Sequence, residues 1–224
     1  MKKMFLAAAA SASLLVSLSS CSPEIKIKAN ADESVEISFR TGFSKSASMT
    51  IKSIAGLPED KPLFEPSDMS TFLLNAGATG VGARTPSETE VEASGTIKKL
   101  GSSAFRATDI LSLGTNSILD KKNGSSLSLT LGPKEIRKLY ALLDDDSKAY
   151  LDTMMIPALI GEEMGESEYQ LLLSAMYGPS FADELVNGNV TILLESPNGK
   201  KTKIAEKLGK ILTATEEQKW SVEW

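Results

Sequence analysis

Leu127-Ser128-Leu129-Thr130-Leu131-Gly132-Pro133-Lys134-Glu135-Ile136-Arg137-Lys138-Leu139-Tyr140 changes its apolar period halfway along. The first five residues put leucine at every second position, which turns one face of a strand toward a core and the other toward water. From Pro133 onward Ile136, Leu139, Tyr140 and Leu143 follow helical spacing, and proline suits the first helical position because its missing N–H has no partner to lose there. A chain that is strand before this point and helix after it is predicted to be α+β.

Upstream the strand signals dominate. Ile25-Lys26-Ile27-Lys28 alternates, Asn30-Ala31-Asp32 reads as a turn, and Val35, Ile37 and Phe39 resume the alternation through about Phe43. Ser44 to Ala55 reads as a helix with Ala47, Ile51 and Ile54 on one face and Gly56 as its stop. Leu57 to Pro66, with Pro58, Pro62 and Pro66, is a connector; Ser67 then reads as the N-cap of a helix carrying Met69, Phe72 and Leu73 and ending at Gly77. Between Glu88 and Leu131 the expected strands are Val91 to Ile97, Leu111 to Leu119, and Leu127 to Leu131, with Lys122-Asn123-Gly124 turning the last two.

Downstream, the stretch between Leu131 and Val190 is predicted to insert four short helices. Asp144-Asp145-Asp146 ends the first and caps a second, in which Tyr150, Leu151, Met154 and Met155 run apolar until Pro157. Ser167-Glu168-Tyr169-Gln170 matches a capping box opening a third, with Leu172, Leu173 and Met176 facing inward and Gly178-Pro179 at its end. Ser180 to Val186 is the fourth. Val190 to Leu194 then reads as a buried strand, Pro197-Asn198-Gly199 turns it toward Lys201 to Ile204, Ile211-Leu212 is a candidate edge, and Trp220-Ser221-Val222-Glu223-Trp224 alternates. The expected architecture is a mostly antiparallel sheet with the helical layer placed before the C-terminal strands, the two ends of the body meeting in one sheet.

The only cysteine stands directly after an apolar run. Met1-Lys2-Lys3 is a basic start, Met4 to Leu18 is apolar, and Leu18-Ser19-Ser20-Cys21 closes the segment with small residues. A membrane-spanning helix needs about 20 apolar residues, and this run is shorter and interrupted by Ser11, Ser13 and Ser17. Leu-Ser-Ser-Cys resembles the lipobox of bacterial lipoproteins. That resemblance implies removal of residues 1–20 as a signal peptide, diacylation of the Cys21 sulfur, acylation of its new amine, and a single body over 21–224. Ser22 follows the cysteine where enteric inner-membrane retention would have aspartate, which favours the outer over the inner membrane. The run Ile160 to Tyr169, Ala175-Met176-Tyr177-Gly178, Ala182 to Leu185 and the Trp-Ser-Val-Glu-Trp ending are similar to uncharacterised lipoproteins of spirochaetes. That likeness carries address and origin, and no activity.

What is missing restricts chemistry further. The chain has no histidine, so Ser-His-Asp and Cys-His catalysis and the usual zinc sites cannot be built. A lipidated Cys21 removes thiol catalysis and disulfides as well. Hydrophobic residues make up 42% and charged residues 24%, values that suit a globular body rather than a disordered one. Without Lys2 and Lys3 there are 22 basic and 29 acidic side chains, a net charge of −7, which makes nucleic acid and anionic lipid surfaces poor partners.

Other motifs dissolve on inspection. The glycine spacing of Gly77-Ala78-Thr79-Gly80-Val81-Gly82 fits neither the dinucleotide nor the phosphate loop, and Asp120 and Asn123 depart from the calcium-loop pattern. The terminal Trp224 after alternation resembles the assembly signal of outer-membrane barrels, but helices and short strands argue against a barrel.

The expected function is therefore a non-enzymatic, lipid-anchored envelope protein. It works through a protein partner near the bilayer, with no catalytic residues, no metal and no cofactor. A strand at Ile25 leaves about three residues between lipid and fold, a reach of roughly 10–15 Å. The alternative is a carrier of a lipid or small apolar ligand, for which Met154, Met155, Leu172 and Met176, with Leu171 and Leu173, are candidate pocket residues because methionine adapts to irregular apolar shapes. A second alternative is a carboxylate-based hydrolase or calcium-dependent module drawing on Asp144, Asp145, Asp146, Glu162, Glu163 and Glu166.

Overall fold

A computed structural model describes residues 22–54, 56–100, 110–115, 125–143 and 145–224. In chain order the elements are β1 (Glu24–Ala29), β2 (Val35–Gly42), α1 (Lys45–Ile54), α2 (Pro66–Asn75), β3 (Thr79–Ser87), β4 (Glu90–Ile97), β5 (Leu111–Thr115) and β6 (Ser125–Leu131). Then come α3 (Pro133–Ala141), α4 (Asp145–Thr153), α5 (Pro157–Ile160), α6 (Glu166–Tyr177), α7 (Pro179–Asn187), β7 (Asn189–Glu195), β8 (Lys201–Lys207), α8 (Leu208–Leu212) and β9 (Gln218–Glu223). The class is α+β, as the change of period predicts. The Leu18-Ser19-Ser20-Cys21 run, the expected turn at Lys122-Asn123-Gly124, Asp120 and Asp144 lie outside the described residues.

The β1–β2 hairpin closes on a self-contained turn. Asn30 accepts from the Glu33 N–H through its carbonyl, Asp32 accepts both the Ser34 N–H at 3.1 Å and the Ser34 hydroxyl at 2.6 Å, and Glu33 takes a left-handed φ of 64°. Short polar side chains are what such a turn requires, because they replace the backbone partners that the reversal removes. Beyond the turn, Ile27, Ala29, Val35 and Ile37 all point into one core.

Six strands order as β3-β4-β2-β1-β7-β8, and β5-β6-β9 form a second, smaller sheet. Every pairing is antiparallel except β1 with β7, where Glu24 stands opposite Thr191 and Ile27 opposite Leu194. The expectation that the chain ends meet in one sheet is corrected here. β9 pairs with β6, Leu127 opposite Val222, and the strands that flank β1 from the C-terminal region are β7 and, beyond it, β8. The inner faces of both sheets and the Leu73 side of α2 share one apolar core that includes Val35, Ile97, Leu127, Ile192 and Leu194. Burying each such side chain contributes about 1.5–3 kcal/mol.

The helices make a second core of their own. Ala47 and Ile51 of α1, Met154 and Ile156, Tyr169 and Leu173 of α6, and Phe181, Leu185 and Val186 of α7 pack together, with Leu208 bridging to the sheet core. The insertion holds five helices among the described residues rather than four, because Pro157 starts a single turn, α5, closed by Gly161 at φ 84°. Ile211-Leu212 is not an edge strand: it belongs to α8. Gly209 of α8 lies so close to Val186 that a Cβ there would sit 2.7 Å from the Val186 carbonyl oxygen, which explains why a residue without a side chain stands at this point.

Helix starts also differ from expectation. Ser44, expected within the helix, stands just before α1 and caps it, its Oγ accepting from the Ala47 N–H at 3.1 Å. Ser67 and Ser167 do not cap: α2 begins at Pro66 behind Glu65, and α6 begins at Glu166 behind Gly165, neither with a side-chain cap. In α3 the predicted stripe Ile136, Leu139 and Tyr140 is only half-buried, whereas Glu135 is almost fully buried, its Oε2 curled back toward Gly132.

Candidate functional site

The face of the large sheet opposite the core is open and polar. Its register sets side chains in transverse rows. One row reads Arg84, Glu92, Arg40, Glu24 and another reads Glu36, Lys28, Glu195, Lys201, so charge alternates along each. Arg40 reaches Glu92 at 3.4 Å and Glu90 at 3.6 Å, Arg84 forks onto Glu92, Lys28 meets Glu36 at 3.5 Å, and Lys201 meets Glu195 at 3.3 Å. Between these rows runs a line of small residues, Gly82, Ser94 and Ser38, continuing to Lys26, Leu193 and Lys203.

The missing bulk leaves a trough. Two open concavities of about 530 and 340 Å³ share Lys26, Ser38 and Ser94. Lys26 makes no ion pair among the described residues, so its ammonium and the two hydroxyls are the groups left to meet a ligand. The walls are already neutralised by each other. A water-open, shallow trough of this kind supports weak polar contact, not enclosure of an apolar molecule.

The helical lobe is the opposite case. Of six large apolar side chains exposed among the described residues, Met49, Met155, Ile160, Leu171 and Met176 belong to the lobe, and Leu74 on α2 is the sixth. Leu171 is the extreme, at 72% exposure. The predicted quartet is thus dispersed: Met154 is buried in the lobe core, Leu172 is half-buried, and Met155 and Met176 face solvent. These four residues line neither of the two concavities on the sheet. Tyr169 and Tyr177 of α6 donate their hydroxyls to the Met154 and Thr153 carbonyls, which seats the Met155 corner beside α6. Burial pushes the Tyr169 phenol well above its ordinary range, with the neighbouring Tyr177 adding to the shift.

Of the acidic residues read as hydrolase or calcium candidates, the described side chains Asp145, Glu162, Glu163 and Glu166 form no cluster. Glu162 and Glu163 are exposed in the α5–α6 loop, Glu166 is half-exposed in the first turn of α6, and Asp145 pairs with Lys148 at 3.7 Å. Among the described residues no group of three or more His, Cys, Asp or Glu side chains is placed to hold a metal ion, and no helix is long and apolar enough to cross a membrane.

A signal passed over in reading the sequence explains the lobe's character. No lysine or arginine occurs between Lys148 and Lys200, and residues 149–188 carry seven acidic side chains. From residue 21 on, the rest of the chain holds 22 acidic and 22 basic side chains, so the entire net charge of −7 resides in this one segment. The trough, by contrast, had no sequence signal, because cross-strand neighbours are set by register between distant segments.

Topology puts the chain's entrance at the lobe. β1 begins beside the start of β7, and the Thr191 N–H donates to the Pro23 carbonyl at 2.8 Å. The end of β2, the start of β7 and the end of β8 lie at this same end of the sheet, and they lead to or from α1, α7 and α8. Compared with known proteins, the chain matches no family model, no curated protein and no solved structure.

Proposed function

We propose that this chain is a membrane-anchored envelope lipoprotein that acts by protein–protein contact close to the bilayer, without catalysis of its own. On this reading residues 1–20 are removed, Cys21 is acylated, and the body over 21–224 is held at the membrane, the outer one favoured. The supporting observation is where the fold starts. The first described strand begins at Glu24, at the end of the sheet that carries the helical lobe. A link of three residues reaches about 10 Å, so the end of the sheet that carries the lobe would be held close to the anchor. Two or three acyl chains, each contributing about 0.8 kcal/mol per buried methylene, make such an anchor effectively permanent.

The test is mass spectrometry of the protein from its native host, with fractionation of a Cys21→Ser variant. Acylated Cys21 as the first residue, and release of the variant into the soluble fraction, are the expected results. An unmodified thiol or a retained Met1 overturns the anchor. Crosslinking in intact cells that captures no protein neighbour overturns the contact role.

A further inference from the structure

We infer that the outward face of α6 docks a cationic amphipathic helix of a partner protein. The inference gives chemistry to the contact role proposed above and rests on it only for location, since the surface itself needs no acyl chain.

The helix is apolar on two sides. Tyr169 and Leu173 fill the lobe core, while Leu171 and Ala175, one turn apart, face water with Leu172 and Met176 on the flank. A solvated helix normally turns charge outward, and an exposed leucine ridge beside a small alanine is the shape that a second helix packs against at 8–10 Å between axes. Twelve residues give α6 a length of about 18 Å, enough for three or four turns of a partner.

Charge selects the occupant. Glu162 and Glu163 lie in the loop before α6, Glu166 and Glu168 in its first turn and Asp183 on the adjoining α7, and the whole 149–188 segment has no cation. None of its seven acids makes an ion pair among the described residues. A second copy would bring like charge against like charge. A bilayer is disfavoured too, because interfacial segments present Lys or Arg and Trp beside their apolar face, and this segment has none. What remains complementary is a helix with an apolar stripe flanked by lysine or arginine, its basic residues meeting Glu162 to Glu168.

The test uses the full chain in neutral detergent and a fluorescent synthetic helix of about 14 residues, leucine on one face and lysine on the other. Saturable binding is expected. Leu171→Ser weakens it at least about tenfold, the loss expected for one buried leucine, whereas Leu74→Ser, the same change at an exposed leucine on α2, leaves it unaltered. Equal binding by a scrambled peptide of the same composition, or equal effects of the two substitutions, shows attraction by charge alone and overturns the inference. It is likewise overturned if the Cys21→Ser chain co-sediments with phosphatidylethanolamine–phosphatidylcholine vesicles in a Leu171-dependent way. A missing acyl chain on Cys21 would overturn the anchor and leave peptide binding intact.

Discussion

Gly209→Ala tests whether the helical lobe is seated on the sheet as described. An alanine Cβ at this position would lie 2.5 Å from Val186 Cγ1, 2.7 Å from the Val186 carbonyl oxygen and 3.2 Å from Val186 Cα. Two of those three atoms are backbone, so no rotamer change relieves the clash and α7 and α8 must separate. Overpacking costs about 1–3 kcal/mol, and two contacts under 3.0 Å, one of them to backbone, put this clash in the upper part of that range, about 2–3 kcal/mol. Against it stands the intrinsic gain of alanine over glycine within a helix, about 1 kcal/mol, so the net destabilisation expected is about 1–2 kcal/mol. For a chain of this size that lowers the unfolding midpoint by about 2–8 °C. Urea unfolding of Gly209→Ala, of Val186→Ala and of the double variant separates the contributions. Removing Val186 Cγ1 relieves only one of the three contacts, so the double variant recovers part of the loss and not all of it. The control is Gly82→Ala, which meets nothing within 4 Å and is expected to be neutral. A Gly209→Ala protein as stable as wild type, or a double variant fully restored, would refute the packing of α8 on α7.

Tyr169→Phe leaves the buried Met154 carbonyl without the hydroxyl that donates to it at 3.0 Å, and costs about 1–3 kcal/mol in chemical denaturation; no loss would mean the lobe core lacks this bond. Glu184→Gln disrupts the two-point grip in which one carboxylate accepts the Ser44 N–H and the Ser44 hydroxyl, and it removes a negative charge from the start of α1; a loss of about 1–2 kcal/mol is expected by the same assay, and none if α1 is held otherwise. The Ser34 hydroxyl, with the Ser34 N–H, holds the Asp32 carboxyl below its ordinary range, so its stabilisation is present above about pH 4 and fades as the pH falls through the depressed folded value. Asp32→Asn therefore lowers stability at about pH 7, and its gap from wild type narrows as the pH falls below about 4; a gap that stays constant through acid unfolding would exclude the charge as its cause.

How far the fold could be read in advance varied with the range of the forces involved. Strands with one buried face announced themselves: Ile25 to Lys28, Val35 to Phe39 and Leu127 to Leu131 alternate because a core lies on one side only. The helical insertion was legible for the same reason. Strand partners were not, since β1 with β7 and β6 with β9 join segments far apart in sequence and a short alternating run does not specify its neighbour. Ile211-Leu212 looked like strand because two β-favouring residues carry little information, and close contact with α7 decided the matter. Leu172 and Met176 looked inward because every position from 171 to 173 is leucine; only packing against α7 reveals that Leu173 is the one enclosed.

The two surfaces of this protein differ in what they stand to gain from a partner. On the open sheet, Arg40, Arg84, Lys28 and Lys201 are already matched by Glu92, Glu36 and Glu195, so an incoming charged molecule would have to break or desolvate pairs that are satisfied in water. Such replacement returns little net free energy. Segment 149–188 of the lobe holds the unbalanced charge and the exposed Leu171 together, so long-range attraction and short-range apolar burial act on the same part of the chain. Attraction sets how fast a partner arrives and fades with salt, over a screening length of about 8 Å at physiological ionic strength. Burial of Leu171 sets how long it stays, because short-range contacts are lost only on dissociation. Recognition by this chain should thus show an association rate that falls steeply with ionic strength and a dissociation rate governed by Leu171, whereas recognition through the sheet trough would show neither.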